Sequence, residues 1–263
     1  MVNEKKQFTH FKIHTQYSIC EGAIKIVDLA KYCKENKVKS IGLNDSFNLC
    51  GALEFSEDIS KAGTHPIIGS QINFKFKNLI GKIPIFAKTE KGFNNLTKLS
   101  SKSYLDVEQS MPPHCDLNDL LNNNEDLIVT SGGLDSYFNK LVQKNNEKEI
   151  DEFISKISSS FVDRFYFEIQ RHNDNGEKSF EFTLLNLSQK FKIPLIASQE
   201  VFYIEKDMFE AHDALLCIGE KTYVDEQNRK KYSNQHYLKK DDELEKIYKD
   251  IPEALENNYN FPL

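Results

Sequence analysis

Arginine is scarce in this 263-residue chain, occurring only at Arg164, Arg171 and Arg229, so nearly all of its basic residues are lysines. A guanidinium grips phosphate through a planar fork that an ammonium lacks, and the net charge is −6. A domain that binds nucleic acid unaided ordinarily carries a basic face. Composition therefore gives no support for autonomous DNA binding, and the richness in Lys and Asn reads as the imprint of an AT-rich genome. Cysteine is sparse as well. Cys20, Cys33, Cys50, Cys115 and Cys217 are odd in number, scattered, and form no C-x-x-C pair, which excludes a disulfide framework and a zinc knuckle and fits a reducing cytoplasm. Long apolar runs are missing. No stretch approaches the roughly 20 residues of a membrane span, and the opening Met1-Val-Asn-Glu-Lys-Lys-Gln runs into a strand-like segment without a signal-type apolar core. A soluble, cytoplasmic protein with no membrane partner is expected. Phosphate-loop glycines are absent too: Gly132-Gly133 follows a strand, but no G-x-G-x-x-G and no Lys-Ser/Thr accompanies it, so a tight turn is the better reading.

What is present is an alternation of short apolar runs and amphipathic stretches, in a chain with 39% hydrophobic residues and thus enough to bury a sizeable core. Segments 8–15, 40–44, 66–76, 82–88, 127–130, 164–170 and 194–203 are brief and rich in Ile, Val, Phe and Tyr, as strands are. Helical spacing recurs between them. In Ile26-Val27-x-x-Ala30-x-x-Cys33 apolar residues recur at i, i+3, i+4 and i+7, one face of a helix, and the run from Leu184 to Phe191 stops before Pro194. Serial β-α units predict an α/β fold with a parallel sheet or barrel. About seven strands predict a distorted (β/α)7 barrel, whose chemistry would sit at the C-terminal strand ends. The irregular stretch 105–126 reads as a surface excursion with a short helix near 117–121. The polar stretch 222–236, containing Lys230-Lys231, reads as a second loop. Strand ends present His14, Asp45, Glu168 and His172 as candidate ligands, although a lone His or Asp in such a place is more often a cap or a solvated side chain.

Ordered motifs then point to a family. Phe8-Thr-His10-Phe-Lys12-Ile-His14 with Ser18 and Glu21-Gly22 is similar to the opening of the PHP (polymerase and histidinol phosphatase) domain of bacterial DNA polymerase III alpha subunits. Gly42-Leu-Asn-Asp45-Ser46-Phe-Asn48-Leu-Cys-Gly51, Pro66-Ile-Ile-Gly69 and Gly92-Phe-Asn94-Asn95-Leu96 follow in the family's order. So do Ser131-Gly132-Gly133, Arg164-Phe-Tyr-Phe-Glu168, Pro194-Leu-Ile-Ala197, Ala211-His212 and Ile251-Pro252-Glu253-Ala254-Leu255. Each element is weak alone, and their order over nearly the whole chain carries the resemblance. It implies a single PHP domain over 1–263, with the barrel to about 250 and 251–263 opening a link toward a polymerase palm.

The resemblance also implies a cluster of divalent metals, because neutral imidazoles and carboxylates suit zinc- or manganese-type ions that activate water against a phosphoester. Position by position, the family's ligands are depleted here. Its His-x-His is Lys12-Ile-His14, its Asp-His is Asp45-Ser46, and an expected Glu is Gln71. An expected His is Lys82, and its Asp-x-His is Glu200-Val-Phe202. A lysine brings a fixed positive charge where a lone pair is needed. The expectation is a vestigial metal pocket of His14, Asp45, Glu168, His172 and Glu200, altered by Lys12, Ser46, Gln71, Lys82 and Phe202, with the lysines pairing the carboxylates. No catalytic residue is assigned, and no cofactor is expected beyond at most a single zinc, manganese or magnesium ion. His10 faces in or out, His212 packs or caps, and Cys50 is a poor nucleophile.

Three functions are compatible with these residues. The first is a structural module of the replicative polymerase that docks the separate proofreading exonuclease subunit and meets DNA only through the parent enzyme. That enzyme, by resemblance, would be a magnesium-dependent DNA-directed polymerase (nucleotidyltransferase) working within the replisome. The second is a metal-dependent phosphoesterase or 3′–5′ exonuclease active within the barrel. The third, a free-standing PHP-like hydrolase, is disfavoured by the Asn48-Leu-x-Gly51 and Ile251–Leu255 motifs.

Overall fold

Each apolar run read as a strand forms one, in a computed structural model that describes residues 6–108 and 110–262. The opening residues 1–5 of the expected leaderless start lie outside the described residues, as do Gln109 and Leu263. The chain begins with β1 (His10–Ile13), α1 (Ile26–Asn36), β2 (Ser40–Ser46), α2 (Ala52–Lys61) and β3 (His65–Phe76). β4 (Leu79–Ala87), α3 (Glu90–Leu105), β5 (Cys115–Asp116), α4 (Leu117–Asn122) and β6 (Leu127–Thr130) follow. Next come α5 (Tyr137–Gln143), α6 (Glu147–Ser160), β7 (Phe165–Gln170), α7 (Glu177–Phe191), β8 (Leu195–Ser198) and β9 (Glu200–Val201). α8 (Phe209–Glu220), α9 (Asp241–Ile247) and α10 (Pro252–Asn260) complete the described chain.

The strands hydrogen-bond in the order β8-β7-β6-β4-β3-β2-β1-β9, with β5 attached to the far end of β3. Only Gln199 separates β8 from β9, so the two edges of the sheet are consecutive pieces of one chain. The sheet thereby curls into a nearly closed barrel of the distorted (β/α)7 kind, with β8 and β9 as one interrupted stave. All neighbours on this path are parallel except β4, which runs antiparallel to both β3 and β6. The physical reason is the connection: Lys77 and Asn78 leave room for a hairpin turn, with Lys77 at φ 55°, and none for a crossover helix.

The helices cover the barrel with apolar stripes. Ile26, Leu29 and Cys33 of α1, with Phe55 and Ile59 of α2, pack on Ile13, Ile41 and Leu43, while Val27 points to solvent. The stripe therefore runs through Leu29 rather than Val27. Inside the barrel, Phe11, Ile67, Phe86 and Ile196 form an apolar floor. Phe261 reaches this floor from beyond α10, and α10 itself packs through Ala254, Leu255 and Tyr259 on the main core beside β8. Pro252 occupies its first turn, where a missing N–H costs nothing, and the buried Asn258 side chain accepts from Thr9 N at 2.8 Å and donates to Thr9 O and Ala197 O at 2.9 Å each. Phe261 stacks on Phe11 at 4.4 Å. Asn258 and Phe261 thus attach the segment 251–262 to the barrel.

The 105–126 excursion is partly ordered by pairing. β5 extends the sheet at Phe74 and Lys75, and α4 buries Leu117 and Leu120 behind a capping box of Asp116 and Asp119. The stretch 222–236 has no helix or strand and crosses the mouth of the barrel. Arg229 forks onto Asp213 of α8 at 2.6 Å, and Lys230 reaches Asp135 at 2.7 Å and Glu21 at 3.4 Å. Among the described residues no helix is long and apolar enough to cross a membrane.

Candidate functional site

A bulge in β1 sets the geometry of the barrel interior. His10 pairs with Ile41 and Ile13 with Leu43, so three steps on β1 match two on β2 and the extra residue falls at Phe11-Lys12. Gly42 lies opposite, where a Cβ would stand 2.5 Å from Phe11 Cα. Only a residue without a side chain admits the bulge there. As a result Phe11 and Lys12 both reach inward, Phe11 to the floor and Lys12 to the polar layer above it. His10 turns outward, with Nε2 at 2.8 Å from the Lys239 carbonyl.

The Lys12 ammonium lies 3.0 Å from Glu168 Oε1 and 3.6 Å from Glu200 Oε1, and it is closed off from solvent together with Glu168. Burial pulls the Lys12 pKa down, but Glu168 and Glu200 outweigh it and hold the value above the ordinary range for lysine. For Glu200, burial pushes upward while Lys12 and His14 pull harder, leaving the carboxyl well below the usual range. Thr130 donates to Glu168 Oε2 at 2.6 Å and Gln170 to Oε1 at 2.5 Å. Glu200 Oε1 also accepts from Gln71 at 2.6 Å and lies 2.9 Å from His14 Nε2. An ammonium within reach of both carboxylates takes up the negative charge that they would otherwise offer to a cation.

Asp45 stands apart from this group. Its carboxylate accepts from Thr15 N–H at 2.6 Å, Thr15 Oγ1 at 2.7 Å and Ser18 Oγ at 2.7 Å. It ties the β1 and β2 loops together, and burial raises its pKa despite these donors. Lys82 does not meet the expected carboxylates either: it pairs with Glu21 at 2.8 Å and reaches Ser46 Oγ at 3.3 Å. Burial pushes Glu21 up, but Lys82, His14 and Lys230 bring it down to about 2. Phe202 fills the space among His14, His212, Tyr232 and His236, with ring centroids 4.7 to 5.3 Å away. His212 is buried, with Nε2 at 2.8 Å from the Glu21 carbonyl.

A second polar group adjoins the first through the Glu200 backbone. The Glu200 N–H donates to His172 Nε2 at 3.1 Å, and His236 Nδ1 donates to the Glu200 carbonyl at 2.9 Å. The two imidazoles are stacked, 4.0 Å apart and 5° from parallel. His172 Nδ1 faces Glu177 Oε1 at 2.9 Å, and His236 Nε2 faces Asp174 Oδ2 at 2.8 Å. Ser233 N–H holds the other Asp174 oxygen at 2.7 Å. Burial, His236 and Lys239 depress the His172 pKa well below the ordinary value, so that ring is neutral. One ligand atom each from His172, Asp174 and His236 falls within 4.8 Å of the others.

His14, Glu168, His172 and Glu200 are thus brought into one connected network, while Asp45 and Lys82 serve its edges. The sequence placed Glu21 in the opening motif without a role in the site, and it did not mark Asp135, Asp174, Glu177 or His236. Asp174 was legible as a carboxylate two residues beyond His172. His236 carried no local signal, because only the strap over the barrel mouth brings it to Glu200.

The PHP domain profile matches residues 10–172. The chain is 34% identical over 265 residues to the DNA polymerase III subunit alpha of Caulobacter vibrioides (strain NA1000 / CB15N), an alignment covering 97% of this chain and 23% of that protein. It is 34% identical over 257 residues to the same subunit of Rickettsia conorii (strain ATCC VR-613 / Malish 7), covering 97% and 22%. It therefore spans about a fifth of the length of the curated relatives it matches. Among solved structures, an amidohydrolase from Chromobacterium violaceum superposes with TM-score 0.49 at 8% identity, covering 79% of this chain and 96% of that one. With a family profile over more than half its length and alpha-subunit relatives along nearly all of it, the chain belongs to the PHP domain family.

Proposed function

We propose that this chain is a non-catalytic PHP module of a bacterial replicative DNA polymerase III alpha subunit, forming one unit over 1–263 and working in the cytoplasm. Its role would be to support the polymerase body and to dock the proofreading exonuclease subunit. Polymerisation, with its magnesium and its DNA contacts, would belong to the parent enzyme. The observation that carries the reading is Lys12, whose ammonium sits within 3.6 Å of both Glu168 and Glu200. A multi-metal phosphoesterase needs those carboxylates free for cations. Here Lys12 supplies the positive charge, Gln71 offers an amide, and Phe202 fills the adjoining space with a ring. These residues do not fit the family's metal cluster, and His14, Asp45, Glu168, His172 and Glu200 are read as its remnants. Similarity to alpha subunits along 97% of the chain supports the replicative assignment.

The test is an assay of the purified chain on a labelled single strand with manganese or zinc. No digestion above background is expected. Digestion that disappears in Asp45→Ala or Glu168→Ala would instead favour a phosphoesterase or 3′–5′ exonuclease inside the barrel. Docking is tested separately by pull-down with the cognate exonuclease subunit, and failure of a folded chain to bind removes that role. The loops 105–126 and 222–236 are the surfaces to alter first, since loops often carry interactions.

A further inference from the structure

We propose that His172, a remnant of the family's ligand set, joins Asp174 and His236, which lie outside that set, in a binding site for a single transition-metal dication beside the Lys12 carboxylates. Hydrogen-bond partners fix the tautomer of each ring. His236 Nδ1 must carry a proton, because its partner at 2.9 Å is the Glu200 carbonyl, which can only accept. That leaves the Nε2 lone pair directed at Asp174 Oδ2, 2.8 Å away. Two bases at that distance repel unless they share a cation, either a proton or a metal ion. His172 has the same arrangement: Nε2 accepts from the Glu200 N–H, so the proton lies on Nδ1 beside Glu177. Each imidazole thus turns one N–H to an oxygen acceptor, one a carboxylate and the other a backbone carbonyl. This is how proteins orient metal-bound histidines and raise their basicity.

The donor set decides the class of ion. Two imidazole nitrogens and one carboxylate oxygen suit zinc, cobalt, nickel or iron(II), not magnesium or calcium, which prefer oxygen ligands. The ligand atoms lie within 4.8 Å of one another, and around an ion with bonds of about 2.0–2.2 Å they would close to roughly 3.3 Å. Closing also requires the stacked rings to open from their 5° setting, because parallel lone pairs do not converge on one ion. His172 then exchanges the Glu200 N–H for the metal. The site does not rest on the scaffold role proposed above.

The tag-free chain is titrated with Co2+ and followed by visible absorption, with Zn2+ and Mg2+ as competitors. One equivalent of Co2+ should give ligand-field bands that Zn2+ removes and Mg2+ does not. His236→Asn and Asp174→Asn should each abolish the bands, and Glu177→Gln should weaken binding about 10–100-fold. Circular dichroism and melting establish that each variant is folded. On the unaltered chain, bound Co2+ should shift the ring N–H signals of two histidines, a readout that survives any variant that fails to fold. No bands from the folded chain, or bands that persist in His236→Asn, would overturn the site. If the bands persist in His236→Asn but vanish in Asp45→Asn, the ion sits in the family's own pocket, and the scaffold reading fails as well. Absence of any binding overturns only the site proposed here.

Discussion

Lys12 and Glu168 meet at 3.0 Å in the barrel interior, each with at most 1% of its side chain exposed. Taking both ions out of water costs several kcal/mol apiece, and their attraction repays it only while both are present. Removing one partner strands the other. Lys12→Met should therefore destabilise the chain by about 3–5 kcal/mol, and Lys12→Met combined with Glu168→Gln should recover a large part of that loss. Urea unfolding of the single and double variants measures both. A single-variant cost below about 1 kcal/mol would show that the pair is solvated.

Gly42 governs whether Lys12 can point inward at all. Gly42→Ala places a Cβ against the Phe11 backbone at 2.5–2.6 Å, where nothing flexible can yield. The expected cost is about 2 kcal/mol or more, with loss of the β1 bulge visible as shifted backbone amide signals for Phe11 and Lys12. Wild-type stability in Gly42→Ala would remove the steric basis for the bulge.

Acid should weaken the fold through two buried histidines. Burial lowers the pKa of His10 and of His212 from 6.5 to about 4. The unfolded chain therefore takes up protons first as the pH falls. Stability is complete above about 6.5 and is lost progressively toward 4, by up to about 3 kcal/mol per ring. Urea midpoints at pH 7.5 and 5 should diverge less in His10→Gln/His212→Gln than in the unaltered chain. Equal pH dependence in the two proteins would exclude these rings as the source.

The strap over the barrel mouth should respond to Lys230. Its ammonium joins Asp135 and Glu21. Lys230→Ala should speed limited proteolysis within 222–236 several-fold, and raised salt should do the same to the unaltered chain, since partly exposed pairs are screened. Unchanged cleavage would mean that the Arg229–Asp213 fork and the contacts of Ser233 and His236 hold the strap without Lys230.

Much of the barrel was legible because strands announce themselves locally. Segments 40–44, 66–76, 127–130 and 164–170 all fold as strands within a few residues of their expected bounds. The direction of β4 was less accessible, since it depends on whether a two-residue connection can carry a crossover. Likewise, whether His10 faces in or out stayed open in the sequence, and the bulge opposite Gly42 turned it away from Lys12 and His14.

The amino-acid sequence by itself determined the order of strands and helices, the family resemblance and the presence of lysines where ligands were expected. These follow from residue type and short-range spacing. Tertiary structure decided the pairings: Lys12 with Glu168 and Glu200, Lys82 with Glu21, Asp45 with Thr15 and Ser18, and His236 with Asp174. Such contacts join residues far apart in the chain, so charge and hydrogen-bond partners are fixed only when the sheet curls and the strap closes over it. A lysine in the sequence marks a lost ligand; its position between two buried carboxylates is a property of the folded barrel.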